Sequence, residues 1–145
     1  MKKLLLIAAA IVALAGCAAD TRDHVFDSGT GTQLQKRSYQ SRAFDTPDRQ
    51  KVMRACISTL QDLGFLIDNA DAKLGSLTAT KTDQDKYKQP YVVRMTVSIR
   101  ARGEKQTLVR VNAQYNDRPM TNPKDYQDFF TSLEKALFLT ANAAD

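Results

Sequence analysis

The chain has 145 residues, 43% hydrophobic and 26% charged, with 21 Lys and Arg against 16 Asp and Glu for a formal net charge of +5. The length fits one folded domain with a core, and the balance is mildly basic, not a nucleic-acid profile. Two cysteines and one histidine exclude a disulfide framework and a histidine-rich metal cluster.

Met1-Lys2-Lys3 opens the chain with two cations, and an unbroken apolar run from Leu4 to Ala15 leads into Gly16-Cys17. A cationic start, a short apolar stretch and small residues before the cut form an export signal. As a helix, that run rises only about 18 Å, against a hydrocarbon core of about 30 Å, so residues 1–16 are expected to be a signal peptide and not a membrane span.

Leu14-Ala15-Gly16-Cys17 resembles the lipobox of bacterial lipoproteins. The resemblance implies that the Cys17 thiol receives a diacylglycerol, that cleavage leaves Cys17 as the N-terminus, and that its acyl chains, palmitate among them, hold the protein on a membrane. At about 0.8 kcal/mol per buried CH₂, two or more chains anchor stably without a spanning helix. Enteric sorting signals place Asp after the cysteine for inner-membrane retention; here Ala18 and Ala19 stand there, which implies the periplasmic face of the outer membrane. Loss of the 16-residue leader leaves 129 of the 145 residues, and loss of Lys2 and Lys3 lowers the net charge from +5 to +3.

Residues 18–37 are polar, rich in Gly, Ser, Thr and Asp, and carry no helical or strand periodicity, so a flexible tether is expected over 17–37. Its r.m.s. reach is roughly 25 Å, with an extended limit near roughly 70 Å. His24, the only histidine, lies in this tether away from any metal-ligand cluster and reads as a solvated linker residue. Gly29-Thr30-Gly31 lacks the flanking strand and helix of a phosphate loop.

A single domain is expected over 38–141, with a short tail at 142–145. Its first strand runs from about Arg37 to Phe44. Thr46 as N-cap, Pro47 at the first helical position and Asp48 in the first turn then start a helix that reaches about Leu63. Val52, Met53, Cys56, Ile57, Leu60 and Leu63 fall on its apolar face, and Gly64 stops it. On that stripe Cys56 reads as a small buried hydrophobe, the only thiol left once Cys17 is lipidated.

Phe65 to Asp68 reads as a short strand, Asn69 to Lys73 as a turn, Leu74 to Lys81 as the returning strand, and Thr82 to Gln89 as a polar connection. From Tyr91 the alternation is clean: Tyr91, Val93, Met95, Val97 and Ile99 point one way, Arg94, Thr96, Ser98 and Arg100 the other. Arg102 to Lys105 turns the chain, and Thr107 to Tyr115 repeats the pattern to make a hairpin. Asn122-Pro123 opens a last helix with Tyr126, Phe129, Phe130, Leu133, Ala136 and Leu137 on its apolar stripe. Phe138 and Leu139 widen that stripe, either finishing the core or marking a partner contact.

The expected fold class is therefore α+β: a mostly antiparallel sheet of about five strands in the order β-α-β-β-β-β-α, with two helices on one face and the other face open and polar. Residues 44–81, FDTPDRQKVMRACISTLQDLGFLIDNADAKLGSLTATK, resemble the repeated unit of the helix-grip domains in the C subunit of the outer-membrane β-barrel assembly machinery. Leu60, Gly64, Phe65, Asp68, Asp71 and Gly75 carry the match. The segment is similar also to small proteobacterial lipoproteins with such a domain. The resemblance implies a helix-grip fold and not an activity, since each matching residue has a role in a helix stop, a core or a turn.

With its single His in the tether, the domain has no Ser-His-Asp or Cys-His site, and no cofactor or metal is expected. Asp68, Asp71, Asp83 and Asp85 read as turn acceptors and solvated charges. The outward face of the late hairpin is more informative, with Arg94, Arg100 and Arg110 among Thr96, Ser98, Asn112 and Gln114, and with Arg42 and Lys81 as its extension. Such a face either binds an anionic partner through bidentate contacts or simply keeps a one-sided sheet soluble. A non-catalytic interaction or accessory subunit of an envelope complex for transport, secretion or outer-membrane assembly is the expected function. The alternative is a small-ligand or lipid-binding module with a groove lined by Phe65, Tyr91, Phe129 and Phe130.

Overall fold

The computed structural model describes residues 33–142; the expected signal peptide, Cys17, His24, residues 18–32 of the expected tether and residues 143–145 lie outside the described residues. Its first element is a helix, α1 (Gln33–Gln40), followed directly by strand β1 (Ser41–Phe44). Residues expected to end the tether and begin the first strand are thus helical. Gln, Leu, Lys and Arg are good helix formers, and this segment has a tertiary partner. The Tyr39 ring lies 5.2 Å from that of Tyr126, and the Gln40 side-chain amide donates to the Tyr126 hydroxyl at 3.4 Å.

Helix α2 (Arg49–Asp62) is capped two residues later than the sequence predicts. Asp48, not Thr46, is the N-cap: its Oδ1 accepts the Lys51 N–H at 2.8 Å, and the first helical bond runs from Val52 N–H to the Asp48 carbonyl at 3.1 Å. Thr46 instead braces the approach, its Oγ1 accepting the Asp48 N–H at 3.3 Å. At the other end Gly64 takes φ +82°, its N–H reaching the Gln61 carbonyl while Phe65 N–H reaches that of Leu60. This paired arrangement needs a left-handed residue, which is why glycine stands there. It also brings partly buried Phe65 against the edge of the core.

Four strands follow: β2 (Leu66–Asp71), β3 (Ser76–Gln84), β4 (Pro90–Arg102) and β5 (Gln106–Tyr115). A two-residue strand, β6 (Arg118–Pro119), precedes α3 (Pro123–Asn142), which Asn122 caps through its Oδ1 to Lys124 N–H at 3.1 Å. All pairings are antiparallel, in the order β1-β5-β4-β3-β2, with β6 also on β5. The expected α+β fold holds, with a third helix and a sixth, very short strand added.

Asp71 Oδ1 accepts the N–H groups of Lys73 and Leu74 at 2.8 and 2.9 Å, and Asp85 Oδ1 accepts those of Tyr87 and Gln89 at 2.8 and 2.9 Å. Both carboxylates are turn acceptors, as their surroundings predict. The β2–β3 turn brings Gly75 so near β4 that a Cβ would lie 2.2 Å from the Ile99 carbonyl oxygen. Only glycine fits that approach.

The core lies between the sheet and the helices. Val52, Cys56 and Leu60 of α2 and Tyr126, Phe129, Phe130 and Leu133 of α3 meet Leu77, Val97, Ile99, Val109 and Val111. Burying each large apolar side chain is worth about 1.5–3 kcal/mol, enough for this layer to hold the fold without a disulfide. Phe138 and Leu139 do not complete it: they remain 68% and 65% exposed, because the core stripe of α3 ends with half-buried Ala136 and Leu137.

Candidate binding surfaces

Strand β4 presents two different faces because side chains alternate across a sheet. Met95, Val97 and Ile99 are buried under the helices, whereas Arg94, Thr96 and Arg100 are exposed and Ser98 is half-buried on the opposite face. The outward face continues through Thr78 and Thr80 of β3 and Arg110 and Asn112 of β5, as their register with β4 requires. Arg102, assigned to a turn from sequence, belongs to β4 and shares this face; the ladder of β4 with β5 extends to Arg102 and Gln106.

The three arginines singled out from sequence do not form one cluster. Arg110 stands opposite Ser98, and Arg100 stands opposite Leu108, which makes Arg100 and Arg110 diagonal neighbours at about 7–8 Å. Arg94 lies six residues away along β4, about 20 Å. It faces Gln114 and has Asp117 Oδ1 at 3.7 Å. Arg100, Arg110, Ser98 and Leu108 line a depression of about 250 Å³. Across the β1–β5 pair, Arg110 Nε donates to Ser41 Oγ at 3.2 Å.

Arg42 and Lys81 do not extend this face. Arg42 is opposite Val109 and Lys81 opposite Val93, so both point to the helix side. Arg42 lies over the Phe130 ring at 5.0 Å and pairs with Glu134 Oε1 at 2.9 Å. Lys81 Nζ donates to the Leu63 carbonyl at 3.0 Å, adding a cation to the C-terminus of α2 where the helix dipole favours one.

On the helix side, one end of the layer stays open as a cleft of about 270 Å³. Phe65, Val93, Met95, Met120, Tyr126 and Phe129 supply apolar wall; Lys81, Asp125 and Asp128 supply charge. Tyr91 and Phe65 line it as expected, but Phe130 does not. Adjacent helical residues point about 100° apart, so Phe129 enters the cleft while Phe130 turns to Arg42. Partial desolvation first, and then the carboxylate of Asp83, push the Tyr91 phenol above its ordinary pKa.

Cys56 is fully enclosed, and burial pushes its thiol up to about 12, far from a nucleophile's range. Among the described residues no three His, Cys, Asp or Glu side chains gather as a metal site, and no helix is long and apolar enough to cross a membrane.

No family model matches the chain, and no curated protein sequence matches it. Solved structures do resemble it. One is the adenylate sensor of AMP-activated protein kinase in complex with 5-aminoimidazole-4-carboxamide 1-β-D-ribofuranotide: 10% identity, 67% of this chain and 94% of that one covered, TM-score 0.48. Another is a DUF4468 family protein from Bacteroides ovatus, at 9% identity over 67% of this chain and 84% of that one, TM-score 0.40.

Sequence reading missed α1, β6 and the outward row of β3. The signal for that row was present, since Ser76, Thr78, Thr80 and Thr82 alternate with Leu77, Ala79 and Lys81. A signal for β6 was also present: Asn116 and Asp117 are residue types that tolerate the left-handed backbone of a two-residue hairpin turn, and they adopt φ +45° and +64°.

Proposed function

We propose that this chain is a lipid-anchored envelope protein that acts by binding rather than by catalysis, its open sheet face docking an anionic partner within an envelope complex. The address comes from Cys17 and Ala18: acyl chains on Cys17 hold the protein at the periplasmic face of the outer membrane. One observation carries the docking surface. The paired strands β4 and β5 contain no Asp or Glu at all, and their outward positions include Arg94, Arg100, Arg102 and Arg110. Guanidinium groups presented on a rigid sheet suit carboxylate and phosphate partners.

In-cell crosslinking of the full chain tests this reading. Charge reversal by Arg100→Glu with Arg110→Glu is expected to abolish capture of the partner while the protein stays folded and membrane-bound. Unchanged capture, with full complementation of the deletion phenotype, overturns it. For the anchor, Cys17→Ala is expected to prevent incorporation of labelled palmitate and membrane fractionation; a labelled, membrane-bound Cys17→Ala protein overturns lipidation at that residue.

The cleft beside Phe65 and Phe129 favours a second reading, a module for a small apolar ligand. Its volume of about 270 Å³ is near the lower bound of roughly 300 Å³ for ligand pockets. Mass spectrometry of the protein released from membranes, before and after denaturation, decides it: a stoichiometric small molecule supports this reading, and its absence with Phe129→Trp tolerated in cells removes it.

A further inference from the structure

We propose that the depression between Arg100 and Arg110 is a site for a phosphate group, presented as a monoester or diester. This inference rests on the reading of the sheet face as an anion-docking surface and names the anion. Neutralisation separates this pair from Arg42 and Arg94. Arg42 has Glu134 at 2.9 Å and Arg94 has Asp117 at 3.7 Å, whereas among the described residues neither Arg100 nor Arg110 has a carboxylate within 4.0 Å.

The pair is also held in place. Ser98 lies directly opposite Arg110, and Arg100 opposite Leu108, in an unbroken ladder that runs from Val93 to Arg102. The Ser41 hydroxyl takes the Nε–H of Arg110 at 3.2 Å, which fixes the guanidinium across two strands and leaves its outer N–H groups for a ligand. Half-buried Leu108 forms the floor, so one side of the depression excludes water.

The number of donor directions selects phosphate over carboxylate. A planar carboxylate is satisfied by the two parallel N–H groups of a single guanidinium. Two guanidiniums on a diagonal, with the Ser98 hydroxyl between them, aim donors from three directions, matching the oxygens of a tetrahedral anion. The phosphate belongs either to a lipid headgroup of the membrane that holds the protein or to a soluble phosphate ester.

The test uses the full mature chain in uncharged detergent micelles, with amide and arginine Nε–H resonances as the readout. It is titrated with glycerol phosphate, with micelles doped with phosphatidylglycerol or with phosphatidylcholine, and with succinate at matched ionic strength. Saturable shifts confined to Ser98, Arg100 and Arg110 are expected with a phosphate ligand. Arg100→Gln and Arg110→Gln should each weaken binding about tenfold, the loss expected for one charge-assisted hydrogen bond, and Arg94→Gln should leave it unchanged. Saturation by glycerol phosphate assigns a soluble ester; saturation only by phosphatidylglycerol micelles assigns a headgroup; either supports the site.

No confined shift with any phosphate, or equal weakening by Arg94→Gln, overturns the proposal. If succinate binds at Arg100 and Arg110 as tightly as phosphate, the phosphate assignment fails while anionic docking survives. If neither anion binds and crosslinking ignores charge reversal, both readings fail together.

Discussion

On the helix-covered face of the sheet, Val97, Ile99, Val109 and Val111 are sealed under α2 and α3. One residue along each strand, Thr96, Arg100, Arg110 and Asn112 are exposed on a face that no described helix covers. The two faces share a backbone and one set of ladder hydrogen bonds, yet they carry different burdens. Stability depends on the covered face, where each side chain is enclosed by neighbours; the exposed face is free to carry charge. Substitutions should therefore separate cleanly by face.

The largest effect is expected from Leu60→Ala, which leaves a void beneath the sheet and should cost about 2–5 kcal/mol in urea unfolding. Thr96→Ala, on the open face, should cost under about 0.5 kcal/mol. Similar costs for the two would break the comparison.

Alkaline pH probes the same enclosure. The Cys56 thiol is held at about 12 against an ordinary value of 9.0, so the folded state keeps a proton that the unfolded chain loses. Its contribution is fully present below pH 9.0 and is lost as pH rises toward about 12, at up to about 1.4 kcal/mol per pH unit. Cys56→Ala should remove this component of the slope, measured by denaturant melts at successive pH values.

Gly75→Ala should destabilise by about 1–3 kcal/mol, since it imposes a left-handed backbone on alanine and drives a Cβ against the Ile99 carbonyl. Deuterium exchange should speed up selectively at the β2–β3 turn and the adjoining part of β4. Uniform exchange would show that this contact does not pin the two elements.

A smaller gain is expected from Thr59→Val. Thr59 is 2% exposed, and its hydroxyl has no hydrogen-bond partner among the described residues. Replacing it should stabilise the domain by about 1 kcal/mol, raising the thermal midpoint by a few degrees. A loss of stability would reveal a partner for that hydroxyl.

Much of the covered face could be read along the chain. Alternation from Tyr91 to Ile99 and from Thr107 to Tyr115 defined two strands, and the stripe from Val52 to Leu63 defined a helix with its glycine stop. These patterns are local: a period of two or of 3.6 is visible without knowing any partner. The proposed lipobox ending at Cys17 is likewise a linear pattern of consecutive residues, which is why it can be proposed without a fold.

Register decided the rest. Arg42 and Lys81 share their residue types with Arg100 and Arg110, yet their strand partners, Val109 and Val93, turn them to the opposite face. Helix α1 depends on Tyr126, 87 residues beyond Tyr39, and no local period records that contact. The pairing of Arg100 with Arg110, and the separation of both from Arg94, follows from which residue of β5 stands opposite Ser98. A one-residue slip would reverse every side chain, so the candidate site exists only once the sheet has closed.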